Sequence, residues 1–388
     1  MLLVPEIAAG AADITEWRRT LHAMPEILYD LPETAAFVAG KLRDFGCDEV
    51  VTGIGQTGVV GIVTSRLGEG GRTVGLRADM DALPIAEATP RPYASRRPGA
   101  MHACGHDGHM AMLLGAARHL CRTRTFRGRV AFVFQPAEEG GAGALAMIED
   151  GLMERFGIEA IYGMHNLPGL PVGQIALRPG PIMAATDEFE IAIRGKASHA
   201  ALPHEGADPI LAGAALVQAL QQISARNVDP LDSLVLSVTR FHSGFARNII
   251  PDEAQVSGTV RSLTAPSQDL AERRIEAIAQ GVAAAHGASA SVVYKRNYPV
   301  TVNDVREAAF CAAVAADVCG ADAVNAAAPP LMAAEDFSYM LEVRPGAFVF
   351  LGNGASAGLH NPGYDFDDAA IPFGSSYWVR LVERALAN

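Results

Sequence analysis

The sequence predicts an α/β protein into which a second, smaller α/β unit is inserted. Three observations support this fold class. The N-terminal half alternates strand-like and helix-like segments, the middle runs strand, helix, strand, strand, helix, strand, and a helix from Asn303 to Gly320 resumes the first pattern. We therefore predict an outer domain of residues 1–183 and 297–388 and an inserted domain of residues 184–296.

The outer domain is predicted from apolar runs separated by helical segments. A helix is predicted over 33–45, near Asp30 and with Gly46 as its stop signal, and another over 106–121. The strand-like runs are residues 73–77, 129–134, 160–164 and 347–351. This alternation is the pattern of α/β proteins.

The inserted domain is predicted from a change of period. Residues 187–194 place apolar side chains at every second position, and Asp208 precedes Pro209 at the start of a helix that runs to about residue 226. The later segments are strands over 233–241 and 254–263, a helix over 268–286 that ends at Gly287, and a strand over 291–295. The order βαββαβ is that of the ferredoxin-like unit.

Composition excludes several classes of protein. The 388 residues carry a formal charge of -12, which argues against a nucleic-acid binder. No apolar run is long enough to span a membrane. Residues 1–12 are apolar but are interrupted by Glu6 and lack a basic start, so a secretory signal is not expected. The five cysteines are scattered and odd in number, which indicates a reducing, cytoplasmic location.

Polar residues follow the predicted strands. Two carboxylates follow the first strand, two follow the second, and single histidines follow the third and fourth; they are Asp79, Asp81, Glu138, Glu139, His165 and His360. Ligands of open α/β sheets bind beyond the carboxyl ends of the strands. If these strands are parallel neighbours, the six side chains converge.

A block of metal-binding residue types adds to this set. Residues 102–109 read HACGHDGH, so that His102, Cys104, His106, Asp107 and His109 lie within eight positions. Thiolate, imidazole and carboxylate together suit zinc or another first-row divalent metal. The candidates are too many for one tetrahedral ion, and a pair of ions that share a water would use them better. His102 and His109 are either ligands or structural residues.

Other features of the sequence are interpreted as structural. The pattern G-x-G-x-x-G at 53–58 precedes a strand instead of a helix, and G-x-S-x-G at 354–358 is not followed by the helix and the later histidine that a nucleophile elbow requires. We predict that both are glycine-rich loops. His22, His119 and His286 lack converging partners in the sequence and are predicted to be ordinary helix residues.

Taken together, these motifs resemble those of a known family. The matching segments, in order, are RADMDALP at 77–84, HACGHDGH at 102–109, QPAEE at 135–139, HN at 165–166, GKASHA at 195–200 and LHNP at 359–362. The chain resembles the aminoacylase/hippurate hydrolase family of dinuclear metallopeptidases, in its N-acyl-amino acid amidohydrolase branch. The resemblance covers nearly the whole chain and implies a mixed-sheet catalytic domain with an inserted dimerisation domain.

The resemblance implies a role for each matching residue. The implied metal ligands are Cys104, His106, Glu139, His165 and His360. Glu138 is implied as the base that activates water and then protonates the leaving amine. His199 would reach the active site of a partner subunit and stabilise the oxyanion, and Asn248 and Arg261 would hold the substrate carboxylate. From the sequence alone, His199 could equally cap a turn, and Arg261 could pair with a surface acid.

One departure from the wider family concerns the first strand. Many relatives carry His-x-Asp there, with the histidine as a ligand, whereas this chain has Asp79-Met80-Asp81. Cys104 would supply ligation instead, and Asp79 and Asp81 would orient the ligands from behind.

The resemblance implies a metal-dependent amidohydrolase that releases a carboxylic acid and a free amino acid from N-acyl amino acids such as hippurate or N-acetyl amino acids. It implies two divalent ions per subunit, Zn or Mn, with Co or Ni as alternatives, and a homodimer that could pair into a tetramer. A peptidase or carbamoylase on the same scaffold, and a non-catalytic metal-binding protein, are the alternative functions.

Overall fold

The computed structural model describes residues 3–67 and 70–387. The chain forms two compact units. The larger unit consists of Met1–Gly180, Val302–Pro329 and Asp336–Asn388, and the smaller unit consists of Pro181–Thr301 and Pro330–Glu335.

The helices, in chain order, are α1 (Pro5–Ala9), α2 (Ala11–His22), α3 (Pro32–Asp44), α4 (His106–Thr123), α5 (Gly143–Glu149), α6 (Leu152–Phe156), α7 (Pro209–Leu220), α8 (Ala265–Ala285), α9 (Val305–Cys319), α10 (Ser338–Val343) and α11 (Ile371–Ala385). Of these, α7 and α8 belong to the smaller unit.

The strands, in chain order, are β1 (Glu49–Ile54), β2 (Gly58–Thr64), β3 (Thr73–Asp79), β4 (Arg129–Gln135), β5 (Ile158–Leu167), β6 (Ile175–Ala176), β7 (Gly180–Met183), β8 (Ala185–Arg194), β9 (Ser198–His199), β10 (Leu234–Ser243), β11 (Ile249–Ile250), β12 (Glu253–Ser262), β13 (Ser289–Arg296), β14 (Thr301–Asn303), β15 (Val324–Asn325) and β16 (Gly346–Gly352). The strands β8 to β13 lie within the smaller unit.

The larger unit contains a mixed sheet of eight strands. Its order is β1-β2-β4-β3-β5-β16-β6-β15. The four central strands β4, β3, β5 and β16 are parallel neighbours. The strands β1 and β2 run antiparallel to the strands beside them, and β6 is antiparallel to β16 but parallel to β15. The carboxyl ends of the central strands therefore meet at one edge of the sheet, as the sequence interpretation required.

The central strands are buried on both faces. Every residue of β3 and β16 is buried, and so are all residues of β4 but the first. Such strands are made of continuous apolar runs because helices cover both sides of the sheet. Arg77 and Asp79 in β3 are charged exceptions, and they are 1% and 0% exposed. The helix α4, which follows β3 in this unit, is buried over most of its length.

The smaller unit confirms the ferredoxin-like prediction. Its four-stranded sheet has the order β10-β12-β8-β13, and all neighbours are antiparallel. Phe189, Ile191 and Ile193 on β8 alternate with more exposed positions and pack into the core formed with α7 and α8. Asp208 caps α7 by accepting the backbone N–H groups of Ile210 and Leu211.

Several elements were not predicted. These are α1, α2, α5, α6, α10, α11, β1, β7, β14 and the two-residue strands, most of which lack a long regular period. The helix predicted to run to residue 226 ends at Leu220 and is followed by a turn of π-helix over Ile223–Asn227. Among the described residues, no helix is long and apolar enough to cross a membrane.

Candidate metal centre

The predicted strand-end residues lie at the carboxyl edge of the central strands. Asp79 is the last residue of β3, Glu138 and Glu139 follow β4, His165 is near the end of β5, and His360 follows β16. From β3 the chain passes through α4 to β4 on one side and later returns to β5 on the other. The carboxyl edge at β3 is therefore a topological switch point, where α/β proteins form ligand sites.

The start of α4 brings a thiol and an imidazole to this edge. Gly105 precedes the helix in a left-handed conformation, with φ 89°, and His106 is the first helical residue. Ligand atoms of Cys104, His106 and His165 all lie within 4.8 Å of one another. The Cys104 Sγ is 3.4 Å from the His165 Nε2. These three buried side chains converge as predicted.

Hydrogen bonds fix the orientation of both imidazoles. The Nδ1 of His106 donates to the Asp81 carbonyl at 2.8 Å, and the Nδ1 of His165 donates to the Asn166 carbonyl at 2.7 Å. Each ring therefore carries a proton on Nδ1 and turns Nε2, the nitrogen available to a metal, toward the cluster. Within the described residues, the buried His106 Nε2 has no hydrogen-bond partner. A metal ligand needs this arrangement.

Glu139 and His360 complete the cluster on its more open side. The Glu139 Oε1 lies 3.3 Å from the His360 Nε2 and 3.9 Å from the His106 Nε2. Ligand atoms of Cys104, Glu139 and His360 form a second group within 4.8 Å, and those of His106, Glu138 and Glu139 form a third. All five predicted ligands, together with Glu138, therefore share overlapping groups.

The charges of the cluster fit divalent cations. Burial, followed by the charge of Glu139, raises the pKa of the Cys104 thiol well above its usual range. Burial lowers the pKa of His106. The charges of Asp79, Asp81 and Glu139 outweigh the effect of burial and raise this pKa to about 10. Burial holds the pKa of His165 well below its usual range. The negative charges that raise the pKa of His106 also favour a nearby cation, and thiol, imidazole and carboxylate together match the donor set of first-row divalent metals.

Asp81 holds the proposed ligands in place through hydrogen bonds. Its two carboxylate oxygens accept the backbone N–H groups of Glu138 and Glu139 at 2.9 and 3.1 Å. Its backbone carbonyl accepts the His106 proton described above. One residue thereby holds the adjacent glutamates and orients one imidazole.

Asp79 lies in a buried network that adjoins the cluster, with its Oδ2 3.6 Å from the His106 Nε2. It accepts from His109 Nδ1 at 2.6 Å and from Arg77 at 2.8 Å. The other nitrogen of His109 accepts the backbone N–H of Asn166 at 3.0 Å. Both nitrogens of His109 are therefore hydrogen-bonded, which favours the structural interpretation of this residue. His102 is buried, and among the described residues neither of its ring nitrogens has a hydrogen-bond partner.

The remaining predicted site residues belong to the smaller unit. His199 lies on β9 opposite Ile249 of β11, and the Ala200 N–H donates at 3.0 Å to the carbonyl of Asn248, the residue before β11. Both residues are exposed. Arg261 lies on β12 in the four-stranded sheet and is half-buried, and this burial lowers the pKa of its guanidinium. His199 and Asn248 are thus neighbours, while Arg261 lies on another sheet.

The sequence interpretation missed a buried ionic network beside the metal centre. His22 was predicted to be an ordinary helix residue, and this is wrong. Its Nδ1 lies 2.8 Å from Asp107, the residue after His106, and its Nε2 lies 3.4 Å from Glu87. Arg18 also reaches Asp107, at 3.5 Å. Arg18 and His22 are four residues apart and therefore lie on one face of α2. Nothing in the sequence indicates which residues they contact.

Two other groups also escaped the sequence interpretation. Arg77 and Gln135 both contact Asp336, at 3.1 and 2.8 Å. Tyr364 donates to Asn166 at 2.7 Å. Polar residues inside otherwise apolar strands were the available signal for Arg77 and Gln135.

Known proteins share both the sequence and the fold. The profile of peptidase family M20/M25/M40 matches residues 75–384. A hippurate hydrolase from Campylobacter jejuni is 40% identical over 386 residues, which cover 100% of both chains. An N-acetyl-L-cysteine deacetylase from Bacillus subtilis is 41% identical over 376 residues, covering 95% of this chain and 87% of that one.

A solved structure agrees with this similarity. A Bacillus subtilis protein, named a dinuclear metal binding peptidase, superposes with a TM-score of 0.86 at 35% sequence identity. The match covers 98% of this chain and 99% of the other. The two chains therefore have the same fold over nearly their whole length.

Proposed function

Because this chain belongs to peptidase family M20/M25/M40, we propose that it is a metal-dependent amidohydrolase that cleaves N-acyl amino acids such as hippurate or N-acetyl amino acids. The products are a carboxylic acid and a free amino acid. The hippurate hydrolase and the N-acetyl-L-cysteine deacetylase, each about two-fifths identical over nearly the full chain, support this substrate class.

One observation carries the proposal most directly. Two buried imidazoles, His106 and His165, are both held through Nδ1 by backbone carbonyls, and both turn Nε2 toward the Cys104 thiol. Glu139 and His360 extend the same cluster. A merely structural polar cluster would satisfy its buried nitrogen atoms internally, whereas His106 Nε2 is left without a hydrogen-bond partner among the described residues.

We assign the metal ligands as Cys104, His106, Glu139, His165 and His360. Five donors of three chemical types exceed one tetrahedral site and support two divalent ions, Zn or Mn, with Co or Ni as alternatives. When bound, the ions supply Lewis-acid polarisation of the amide carbonyl and acidification of water. Asp81 and Asp79 orient the surrounding side chains.

Glu138 is assigned as the general base and acid. It is adjacent to the proposed ligand Glu139, and both backbone N–H groups are held by the Asp81 carboxylate. Ala137 before it has a left-handed backbone with φ 53°, which costs an alanine roughly 1 kcal/mol and turns the two glutamates into the cluster. Glu138 is 7% exposed. From there it takes a proton from water and delivers it to the departing nitrogen.

The smaller unit is assigned to dimerisation and substrate binding. Its helix α7 is apolar on its outer side, where Leu211 is 61% and Ile210 is 41% exposed. Exposed apolar surface of this kind marks an interaction site. We propose that two copies meet there in a homodimer, which could pair further into a tetramer, and that residues 184–296 form the inserted dimerisation domain.

In this dimer the partner subunit's His199 stabilises the oxyanion, and Asn248 and Arg261 hold the substrate carboxylate. A guanidinium group offers two parallel donors to a carboxylate, so the half-buried Arg261 suits this role. The five free cysteines support the proposed reducing, cytoplasmic location.

A substrate panel tests the proposed reaction. Metal-depleted protein is loaded separately with Mn, Zn, Co and Ni and assayed on hippurate, N-acetyl amino acids, dipeptides and N-carbamoyl amino acids. We expect metal-dependent release of amino acid from the N-acyl substrates. Turnover confined to dipeptides or to N-carbamoyl substrates would assign a peptidase or carbamoylase instead, and no turnover of any substrate would leave a metal-binding protein.

An isosteric variant tests the role of Glu138. Glu138→Gln removes the ionisable oxygen and should lower kcat by about 10²–10⁴-fold while the metal content stays unchanged. Glu16→Gln, an exposed residue on α2, is the matched control and should keep full activity. Near-normal kcat in Glu138→Gln would refute the assignment.

A further inference from the structure

Asn166 contacts several parts of the metal centre at once. It follows His165 on β5 and is fully buried. Its side-chain Nδ2 donates to the Cys104 carbonyl at 2.6 Å and lies 3.0 Å from His109 Nε2. Its Oδ1 accepts the Tyr364 hydroxyl at 2.7 Å. Every polar atom of the amide is therefore engaged.

The orientation of this amide follows from its partners. His109 Nε2 accepts the Asn166 backbone N–H at 3.0 Å, so it is an acceptor, while Nδ1 donates to Asp79. The Cys104 carbonyl is also an acceptor, whereas the Tyr364 hydroxyl is free to donate. A flipped Asn166 amide would point its oxygen at two acceptors and its nitrogen at the hydroxyl. Tyr364 and the two acceptors thus select one rotamer of Asn166.

The Asn166 amide donates to the carbonyl of the peptide between Cys104 and Gly105. Gly105 links Cys104 to His106 with φ 89°, and a Cβ there would lie 2.3 Å from Asn166 Nδ2 and 2.5 Å from the Tyr364 hydroxyl. Glycine is required for that close approach. Glycine also leaves the backbone more conformations than any other residue. The direction of the Cys104 carbonyl is therefore set by Asn166 and not by local preference.

The loop that carries Tyr364 also carries a proposed ligand. The His360 backbone N–H donates to the Ala103 carbonyl at 2.8 Å, and Tyr364 lies four residues later. The loop is thus fastened to the segment before α4 at Ala103 directly and at Cys104 through Asn166. Movement at either point would displace Cys104 and His360 together.

We propose that Tyr364 and Asn166 form a positioning clamp that fixes the Cys104–Gly105 peptide, so that the Cys104 thiol and the His106 Nε2 face one metal position. This proposal rests on the proposed function, because it takes Cys104 and His106 as ligands. The clamp does not touch the metal or the substrate. Its two members are 198 residues apart in the chain.

Cobalt binding tests the clamp without relying on turnover. A thiolate ligand of Co(II) gives a sulfur-to-metal charge-transfer absorption, which reports the geometry of the Cys104 thiolate. Asn166→Ala should weaken Co(II) affinity by about 10–100-fold and should reduce or shift this absorption, since loss of outer partners of metal ligands has effects of that size. Tyr364→Phe should change both in the same direction by a smaller factor. Tyr364→Phe keeps every carbon atom of the side chain. If Asn166→Ala does not fold, Tyr364→Phe by itself still tests the proposal.

A matched control separates positioning from general destabilisation. Tyr162→Phe removes the hydroxyl of another buried tyrosine of the larger unit, which donates to Glu307 at 2.5 Å, and should leave the cobalt affinity and spectrum unchanged. Folded Asn166→Ala and Tyr364→Phe proteins with wild-type affinity and absorption would overturn the clamp alone. If the cobalt absorption of the wild type is still present in the Cys104→Ser variant, Cys104 is not a ligand. This result would overturn both the ligand assignment and the clamp.

Discussion

The carboxylate of Asp81 accepts the backbone N–H of Glu138 at 2.9 Å, and its second oxygen does the same for the next residue. These bonds fix the backbone of the turn after β4, and ligand atoms of both glutamates lie within 4.8 Å of each other and of His106. In the proposed function Glu139 is a metal ligand and Glu138 is the base. Asp81, which supports both backbones, comes from a different strand end.

The Asp81→Asn variant tests whether Asp81 acts by holding the backbone of Glu138 and Glu139. The amide keeps the shape but turns one N–H group toward a backbone N–H, so the turn must shift. We expect kcat for an N-acyl amino acid to fall by about 10–100-fold. Asp48→Asn is the control, because Asp48 also accepts a backbone N–H, from Thr64 at 2.7 Å, and is exposed to solvent at that bond. Equal activities in the two variants would contradict the supporting role.

His22 should make the stability of the protein depend on pH. Burial lowers its pKa, but the charge of Asp107 outweighs burial and raises it from 6.5 to about 9. A raised pKa means that the folded protein binds this proton more tightly than the unfolded chain. The stabilisation is therefore complete below the unfolded pKa and is lost as pH rises through about 9.

The comparison of wild type with His22→Gln measures this effect. The difference in free energy of unfolding should be a few kcal/mol below about pH 6, because one pKa unit corresponds to about 1.4 kcal/mol, and should shrink toward about pH 10. Chemical denaturation at several pH values gives both free energies. A difference that is constant across this range would show that His22 stays neutral in the folded protein.

Mixing two inactive variants should restore activity if the active site is shared between subunits. Glu138→Gln lacks the base, and His199→Ala lacks the group offered to the partner. In a statistical mixture of dimers, about a quarter of the sites combine an intact base with an intact histidine from the partner subunit. Activity should reach about that fraction of wild type after subunit exchange. Mixing Glu138→Gln with the double variant should restore none, and the absence of restoration in both mixtures would argue for a site within one subunit.

The outer side of α7 should control the oligomeric state. Leu211→Asp places a charge on the proposed dimer surface, and because Leu211 is 61% exposed the fold of the unit should be unaffected. We expect a shift from dimer to monomer by analytical ultracentrifugation. Val305→Asp is the matched control, since Val305 is 66% exposed in the larger unit. A Leu211→Asp protein that remains dimeric would place the interface elsewhere.

Much of the candidate site could be predicted because its parts are local in sequence. Cys104 and His106 are separated by one glycine, and Glu138 is next to Glu139. The strand ends could also be predicted, because buried parallel strands are continuous apolar runs with abrupt polar ends. The ferredoxin-like order of the smaller unit followed from its alternating period, which changes from two to about 3.6 at each helix.

The sequence by itself thus determined the fold class, the strand ends and the metal-binding residue types. The tertiary structure alone decided which nitrogen of each histidine faces the cluster, and which residues hold the ligands in place. Asp107 meets His22 across 85 positions, Asp336 meets Arg77 across 259, and Tyr364 meets Asn166 across 198. These contacts have no local periodicity, because they form only when separate strands and helices pack and their buried polar atoms must find partners.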